Sequence, residues 1–351
     1  MGQAAGTLKN SLLPQKILCV AALAVFLQFI LGTTACNRKD PLSGRTGIVR
    51  LDAAVDAIIP PDATIEKLAE GFRFTEGPVW HHDGYLLFSD LKSGHIYTWM
   101  PNGQVSVLQM TRDYAGGDRS DPYNFWANGL TLDRDGRLTI CGHRNRRVMR
   151  VEKNGVLTVL ADRYEGKRLN SPNDLAYRSD GTLYFTDPPV GLPKSFDDPQ
   201  RELPFSGIFA LRNGRLQLVS SAVLVPNGLA FSPDEQYLYV TNSDAKNPIV
   251  MRFEVDADGT LSNSRVFVDM SHASGTKGAL DGMKVDQQGN LYVTGSDGIW
   301  IVSDSGTHLG TIKTPEYAAN LAWGDENGKA LYMTSTTGVY RIRLNIPGIR
   351  P

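Results

Sequence analysis

The sequence predicts an all-β fold, a six-bladed β-propeller, from three observations. A strand-turn-strand unit recurs six times, the copies are spaced by blade length, and each copy is headed by one oxygen-bearing residue. The clearest copy runs from Arg168 to Asp187. A Pro-bent loop delivers Asn173 and Asp174 to a strand over Leu175 to Tyr177, a Ser-Asp-Gly turn follows, and a second strand covers Thr182 to Thr186. The other copies read alike: Glu76-Gly-Pro-Val-Trp before Tyr85-Leu-Leu-Phe-Ser, Asn227-Gly-Leu-Ala-Phe before Tyr237-Leu-Tyr-Val-Thr, Asp281-Gly-Met-Lys-Val before Leu291-Tyr-Val-Thr. With Asn128 and Asn320 heading two more, the separations are roughly 40 to 55 residues, the length of a four-stranded blade.

Taken in order, the chain begins with Lys9 and Lys16 ahead of an uncharged run from Ile17 to Leu31 and small residues up to Ala35. This is the pattern of an export signal over residues 1–35, its apolar run short for a membrane span. Ala35-Cys36 resembles a bacterial lipoprotein box in which Cys36 becomes the lipidated N-terminus, although Thr33 stands where a Leu is usual. Ordinary secretion and an uncleaved anchor are the other readings. The expected location is the cell envelope, periplasmic or lipid-anchored, with membrane contact only through that lipid.

Residues 36–62 read as a polar tether and a short N-terminal segment, with a helix between Leu51 and Pro61 stopped by the double Pro. The propeller domain is expected over residues 63–347. Thr64 to Glu70 alternates like an outer strand, and the unit after Asn320 is short, with Leu331 to Thr334 and Val339 to Leu344 as its later strands. The N-terminal segment is therefore expected to complete the sixth blade and close the ring, which removes exposed sheet edges. Repeated Asp-Gly turns such as Asp83-Gly84, Asp135-Gly136 and Asp180-Gly181 read as hairpins at the opposite ends of the strands.

Composition narrows the function. The 351 residues are 41% apolar and 21% charged with net charge −1, enough for a large core and no general attraction to nucleic acid. Arg144, Arg146, Arg147 and Arg150 alternate so that they divide between the faces of a strand, have no interleaved aromatics and read as a solvated blade surface. Cys19 and Cys36 fall in or at the signal, so Cys141 alone remains in the domain, and it reads as a small buried apolar residue. Three insertions interrupt the repeat, at Gln109 to Ala127, Pro188 to Ser206 and Ser271 to Leu280. Those just before a head open on the face of the heads, so Tyr114, Tyr123, Phe125, Trp126 and His272 are candidate walls of a pocket.

If each head starts an innermost strand, six Glu, Asp and Asn side chains converge on one end of the channel. Unpaired buried carboxylates are expensive, and a hard divalent cation resolves the cost. Calcium suits carboxylate and amide oxygens, and Glu76 with Asp281 matches its two charges; another divalent cation is the alternative. Zinc or copper calls for His or Cys, which no head supplies. The competing reading is that Asn-Gly and Asp-Gly are turn chemistry at the blade entrances, strongest for Asn128 and Asn320. Asp174 and Asp187 read as loop support. His143 reads as a proton shuttle in the pocket or as a hydrogen-bonded wall.

Glu76-Gly-Pro-Val-Trp80, Leu169-Asn-Ser-Pro-Asn-Asp174, Phe185-Thr-Asp-Pro-Pro189, Pro226-Asn-Gly-Leu229 and Asp281-Gly-Met283 resemble the gluconolactonase family. That group is related to senescence marker protein (regucalcin) and similar in fold to diisopropyl fluorophosphatase and the paraoxonases. The resemblance covers about residues 65–345. It implies an axial calcium held by Glu76, Asn173, Asn227 and Asp281, with hydrolysis of lactones or related esters above it. Asp281 is the expected catalytic residue, as general base or nucleophile, and Asn128, Asn320, His143 and Trp126 are the expected substrate contacts. One departure stands out: Cys141-Gly142-His143 lies where the bacterial branch commonly has Cys-Glu-His. Two other functions stay in play, a non-catalytic calcium-stabilised binding propeller in the envelope and a metal-free propeller enzyme similar to strictosidine synthase.

Overall fold

A computed structural model describes residues 47–108, 127–272, 279–295 and 297–351. The signal and its Cys36, and the candidate walls Tyr114, Tyr123, Phe125 and Trp126, lie outside the described residues. Six antiparallel sheets of four or five strands follow one another along the chain, with a two-stranded ribbon of Arg163–Tyr164 and Lys167–Arg168 before the third. The first holds Thr75–His81, Tyr85–Asp90, His95–Trp99 and Val105–Val107. The second holds Ala127–Leu132, Leu138–Gly142, Arg147–Val151 and Leu157–Ala161. Leu175–Tyr177 opens the third, Pro226–Phe231 the fourth and Met283–Val285 the fifth. In the sixth, Ala318–Gly324, Ala330–Ser335 and Gly338–Arg343 are joined on the outside by Glu66–Glu70 from the N-terminal side, which pairs Glu66 with Arg341 and Glu70 with Gly338.

The core is partitioned as a propeller demands. Six buried clusters each lie between neighbouring blades, from Val79 and Leu87 against Leu130 and Ile140 to Trp80 and Phe88 against Tyr332 and Val339 between the first and last blades. Trp80 stacks on Tyr332 with ring centroids 5.1 Å apart. A single turn, Val55–Ile58, packs onto the cluster between the fifth and sixth blades before Pro60 and Pro61 end it. Just upstream, Gly47–Arg50 pairs with His308–Lys313 as a fifth strand on the fifth blade. The tether expected over residues 36–62 thus carries a strand where it meets the domain.

Two features of the repeat tie neighbouring blades together. The first is a hydroxyl on the second strand of the first, third and fourth blades that reaches the head of the next. Ser89 Oγ donates to Asn128 O at 2.8 Å, Thr186 Oγ1 to Asn227 O at 2.8 Å, and Thr241 Oγ1 to Asp281 O at 2.7 Å. Thr75 Oγ1 donates to Ser335 O across the first and sixth blades. The second is the glycine after the head, over which the next inner strand passes. A Cβ on Gly77 would fall 2.0 Å from Asn128 O, and one on Gly228 would fall 2.5 Å from Asp281 O. The Asn-Gly pattern is therefore interblade packing as well as local turn chemistry. At four heads the strand register also shifts, between Glu76 and Val79, Ala127 and Leu130, Pro226 and Leu229, and Ala318 and Asn320. Such bulges re-aim side chains.

The arginine run departs from its expected solvated strand. Arg146 has φ 61° and is buried, its guanidinium donating to Leu169 O at 2.7 Å and Gln200 O at 2.8 Å. It lies in the turn before Arg147–Val151, not within the strand, so the alternation of faces does not apply to it. Arg150 does sit on the strand and pairs with Glu152.

Candidate functional site

The inner strands bring the heads of distant blades into direct contact. Asn320 Nδ2, from the sixth blade, donates to Glu76 Oε2 of the first at 3.1 Å and to Asp174 Oδ2 of the third at 3.2 Å. Asp281 of the fifth accepts from Asn227 of the fourth, and its charge interacts with those of Glu76 and Asp174. Groups from five blades can meet in this way only around the axis. Glu76, Asn128, Asn173, Asn227 and Asn320 are all buried, and Asp281 keeps partial exposure.

Each member is held in place by local chemistry. Gly77 N donates to Glu76 Oε2 at 2.7 Å. Asn173 takes its position from the pairing of its N–H with Thr186 O and of its carbonyl with Gly129 N, both at 2.8 Å. Tyr317 donates its hydroxyl to Asp281 Oδ2 at 3.1 Å and to Ala279 O at 3.0 Å. Burial and the adjacent Asp281 charge push the Tyr317 phenol far up, so it stays a donor. Asp187 supports the loop as expected, accepting from Asn170 N at 2.7 Å, and burial pushes it up to about 7. Asp90 does the same for Phe74 N at 2.9 Å and Asn242 for Val225 N at 2.9 Å.

The electrostatics are those of a site short of positive charge. Burial, with Asp174 beside it, pushes Glu76 up from 4.5 to about 7, against the lowering effect of the Gly77 N–H. Burial, then Glu76 and Asp174, push Asp281 well above the usual carboxylate range, against Tyr317 and Asn227. Among the described residues, Asn128 Oδ1 and Asn227 Oδ1 are buried without a hydrogen-bond partner. Desolvated carboxylates and orphaned amide oxygens in one cluster are the donor set of a hard cation. The residues present fit calcium.

Several expected site residues take other places. Asn320 commits both amide hydrogens to Glu76 and Asp174, and its Oδ1 accepts from Leu321 N at 2.8 Å, so in this structure it braces the ring where a substrate contact was expected. Asp174, expected only to support its loop, accepts from Leu175 N and also joins the cluster. His143 is buried, its Nδ1 3.1 Å from Pro172 O. A Cβ on Gly191 would fall 2.4 Å from its Nε2, and burial lowers its pKa, which keeps the ring neutral. His272 is exposed. Cys141 is free and fully buried, with its thiol pushed up by burial. At Gly142 an added Cβ would fall 2.0 Å from Asn145 Oδ1, so the Asn145 side chain fills the space beside this position.

A second group of metal-competent side chains, His81, His82 and Asp83, lies at the far end of the first inner strand. His82 and Asp83 are exposed, and none of the six heads joins them. Tyr317 was not found from the sequence, since a lone Tyr three residues before a head carries no pattern of its own.

Known proteins resemble this chain over nearly the whole propeller. A family model described as the SMP-30/Gluconolactonase/LRE-like region matches residues 74–337. A gluconolactonase of Zymomonas mobilis subsp. mobilis is 35% identical over 320 residues, which span 87% of this chain and 88% of that protein. The solved structure of a Xanthomonas campestris gluconolactonase matches with a TM-score of 0.73 at 32% identity, covering 85% of this chain and 94% of that one. A regucalcin of Agrobacterium tumefaciens, described as calcium-binding, matches with a TM-score of 0.66 at 17% identity over 82% of this chain and 96% of that one, a likeness of fold alone.

Proposed function

This chain belongs to the SMP-30/gluconolactonase/LRE-like family and is a lactone hydrolase of the gluconolactonase type, and from that premise we propose that it opens sugar-acid lactones at the axial ring in a calcium-dependent reaction. The observation that supports the reading is the meeting of Glu76, Asp174, Asn227, Asp281 and Asn320 from five blades, with the Asn227 oxygen left without a partner. Glu76, Asn173, Asn227 and Asp281 would hold the cation. When bound, calcium supplies Lewis-acid polarisation of the lactone carbonyl.

The rest follows from the chain's own groups. Asp281 keeps partial exposure, which leaves its carboxylate open to the channel as a general base. It takes a proton from a water as that water's oxygen bonds to the carbonyl carbon. The ring C–O bond then breaks, and the departing ring oxygen takes the proton back from Asp281. Tyr317 and Asn227 hold the carboxylate still by donating to it. Asn128 Oδ1 is left to accept from a substrate hydroxyl. His143 lines the site as a neutral ring.

A panel of sugar and aliphatic lactones, assayed with added calcium and then with chelator, tests the reading. Turnover of at least one sugar lactone that chelator abolishes and calcium restores is expected; equal turnover in chelator refutes calcium dependence. We place the protein in the cell envelope through a lipidated Cys36, which predicts a diacylglyceryl mass on the mature N-terminus. A mature chain beginning elsewhere and carrying no lipid contradicts it.

A further inference from the structure

Below the ring of heads the channel changes character. Lys284, three residues beyond Asp281 on the fifth inner strand, extends its ammonium toward the cluster, donating to Met283 O at 2.9 Å and reaching Asn320 Oδ1 at 3.5 Å. Beyond it lies a cavity of ≈ 140 Å³ lined by apolar side chains of the inner strands, Val79, Leu130, Leu175, Leu229, Val285 and Ala322 among them. The chain end at Ile349–Pro351 borders the same cavity, with Ile349 N donating to Val285 O at 3.1 Å. Lys284 thus sits between the cluster of carboxylates and a cavity whose lining is mainly apolar, with Glu235 and Ser232 among its polar members.

We infer that Lys284 is a positioning residue whose charge completes the axial site: with a divalent cation it neutralises the three carboxylates Glu76, Asp174 and Asp281. Three negative groups interact across this cluster. A divalent ion supplies two positive charges, and the Lys284 ammonium supplies the third, acting on Glu76 and bracing the Asn320 oxygen. The arrangement makes a definite prediction about metal affinity. An internal cation near the site repels an incoming one, so the site binds calcium less tightly than its carboxylates alone dictate, and its own partial neutralisation keeps the ring assembled when no ion is bound. The inference rests on the calcium reading in its first arm only.

The first arm is calorimetry with calcium chloride at pH 8 on the whole chain and on Lys284→Gln and Lys284→Arg. Lys284→Gln is expected to bind calcium at least about tenfold more tightly, the order expected for one unit charge in a medium of intermediate dielectric, while Lys284→Arg stays near the parent value. Calcium binding by the parent with unchanged or weaker binding by Lys284→Gln overturns the charge role and leaves the calcium reading intact. No calcium binding by the parent overturns the calcium reading. The second arm needs no ion: a double-mutant cycle of Glu76→Gln and Lys284→Gln, read as melting temperature in chelator at pH 8. Lys284→Gln is expected to lower the melting temperature less in the Glu76→Gln background than in the parent. Equal losses in both backgrounds show a structural stem with no charge coupling and overturn the inference.

Discussion

Replacing Glu76 with Gln separates what this residue does for folding from what it does for the site. In the fold the carboxyl titrates at about 7 and in the unfolded chain at 4.5. Between those values the folded chain holds a proton that the unfolded chain releases, so Glu76 favours folding at pH 4 and loses that contribution as pH rises through about 7. The full difference is about 3 kcal/mol, a large part of a typical net stability. Gln keeps an oxygen to accept from Gly77 N and Asn320 Nδ2 and never ionises. In chelator at pH 8, E76Q is therefore expected to melt above the parent by roughly 6 °C, taking about 2 °C per kcal/mol for a domain of this size. At pH 5 the two should nearly coincide. Asp187, also raised to about 7, leaves a residual slope of the same sign in both proteins. Calcium should raise the melting temperature of the parent and leave that of E76Q almost unmoved. Thermal unfolding with and without chelator at both pH values measures all four quantities. An E76Q protein destabilised equally at pH 5 and pH 8 would refute the argument, since the carboxylate would then be a structural asset and not a desolvated ligand.

Other outcomes follow from the same geometry. Asp281→Asn should retain the fold, because Tyr317 and Asn227 can still bond to the side chain, while lactone turnover falls by at least about two orders of magnitude, the contribution of a general base; steady-state kinetics beside a melting curve check both halves. Thr241→Val removes the hydroxyl that donates to Asp281 O and Gly228 O, at a cost of about 1–2 kcal/mol. It should therefore lower the melting temperature by a few degrees and weaken turnover. Gly228→Ala would press a methyl to 2.5 Å from Asp281 O, so it should lower both calcium affinity and stability more than alanine at the open position Gly84. Proton competition at Glu76 should make calcium binding tighten as pH rises from 6 to 8, measured by calorimetry.

The blades were legible because each one repeats a local pattern: a head, a short strand, a tight turn and a second strand. Strand limits such as Leu175–Tyr177 and the N-terminal outer strand Glu66–Glu70 follow from alternation and turn chemistry that sit within a few residues of one another. The hydroxyl near the end of the second strand in five of the six blades was visible as a repeated Ser or Thr, yet its purpose was not. Thr186 bonds to Asn227, 41 positions away, and no local spacing encodes that partner. The same holds for the brace at Asn320, whose partner Glu76 is 244 positions distant, and for Asp174, which looked like a loop cap because it also is one. Arg146 misled because a left-handed turn residue interrupted an alternation that otherwise read as one strand. Tyr317 and Lys284 had no pattern at all. They are single residues whose meaning comes from the axis they approach.

The central claim is that Glu76, Asn173, Asn227 and Asp281 share one cation, and a crystal grown with calcium tests it most directly through anomalous diffraction. The account predicts a single strong peak on the axis, within about 2.3–2.6 Å of an oxygen from each of the four. A peak confined to the exposed His81–Asp83 turn, or an axis without one at saturating calcium, contradicts it.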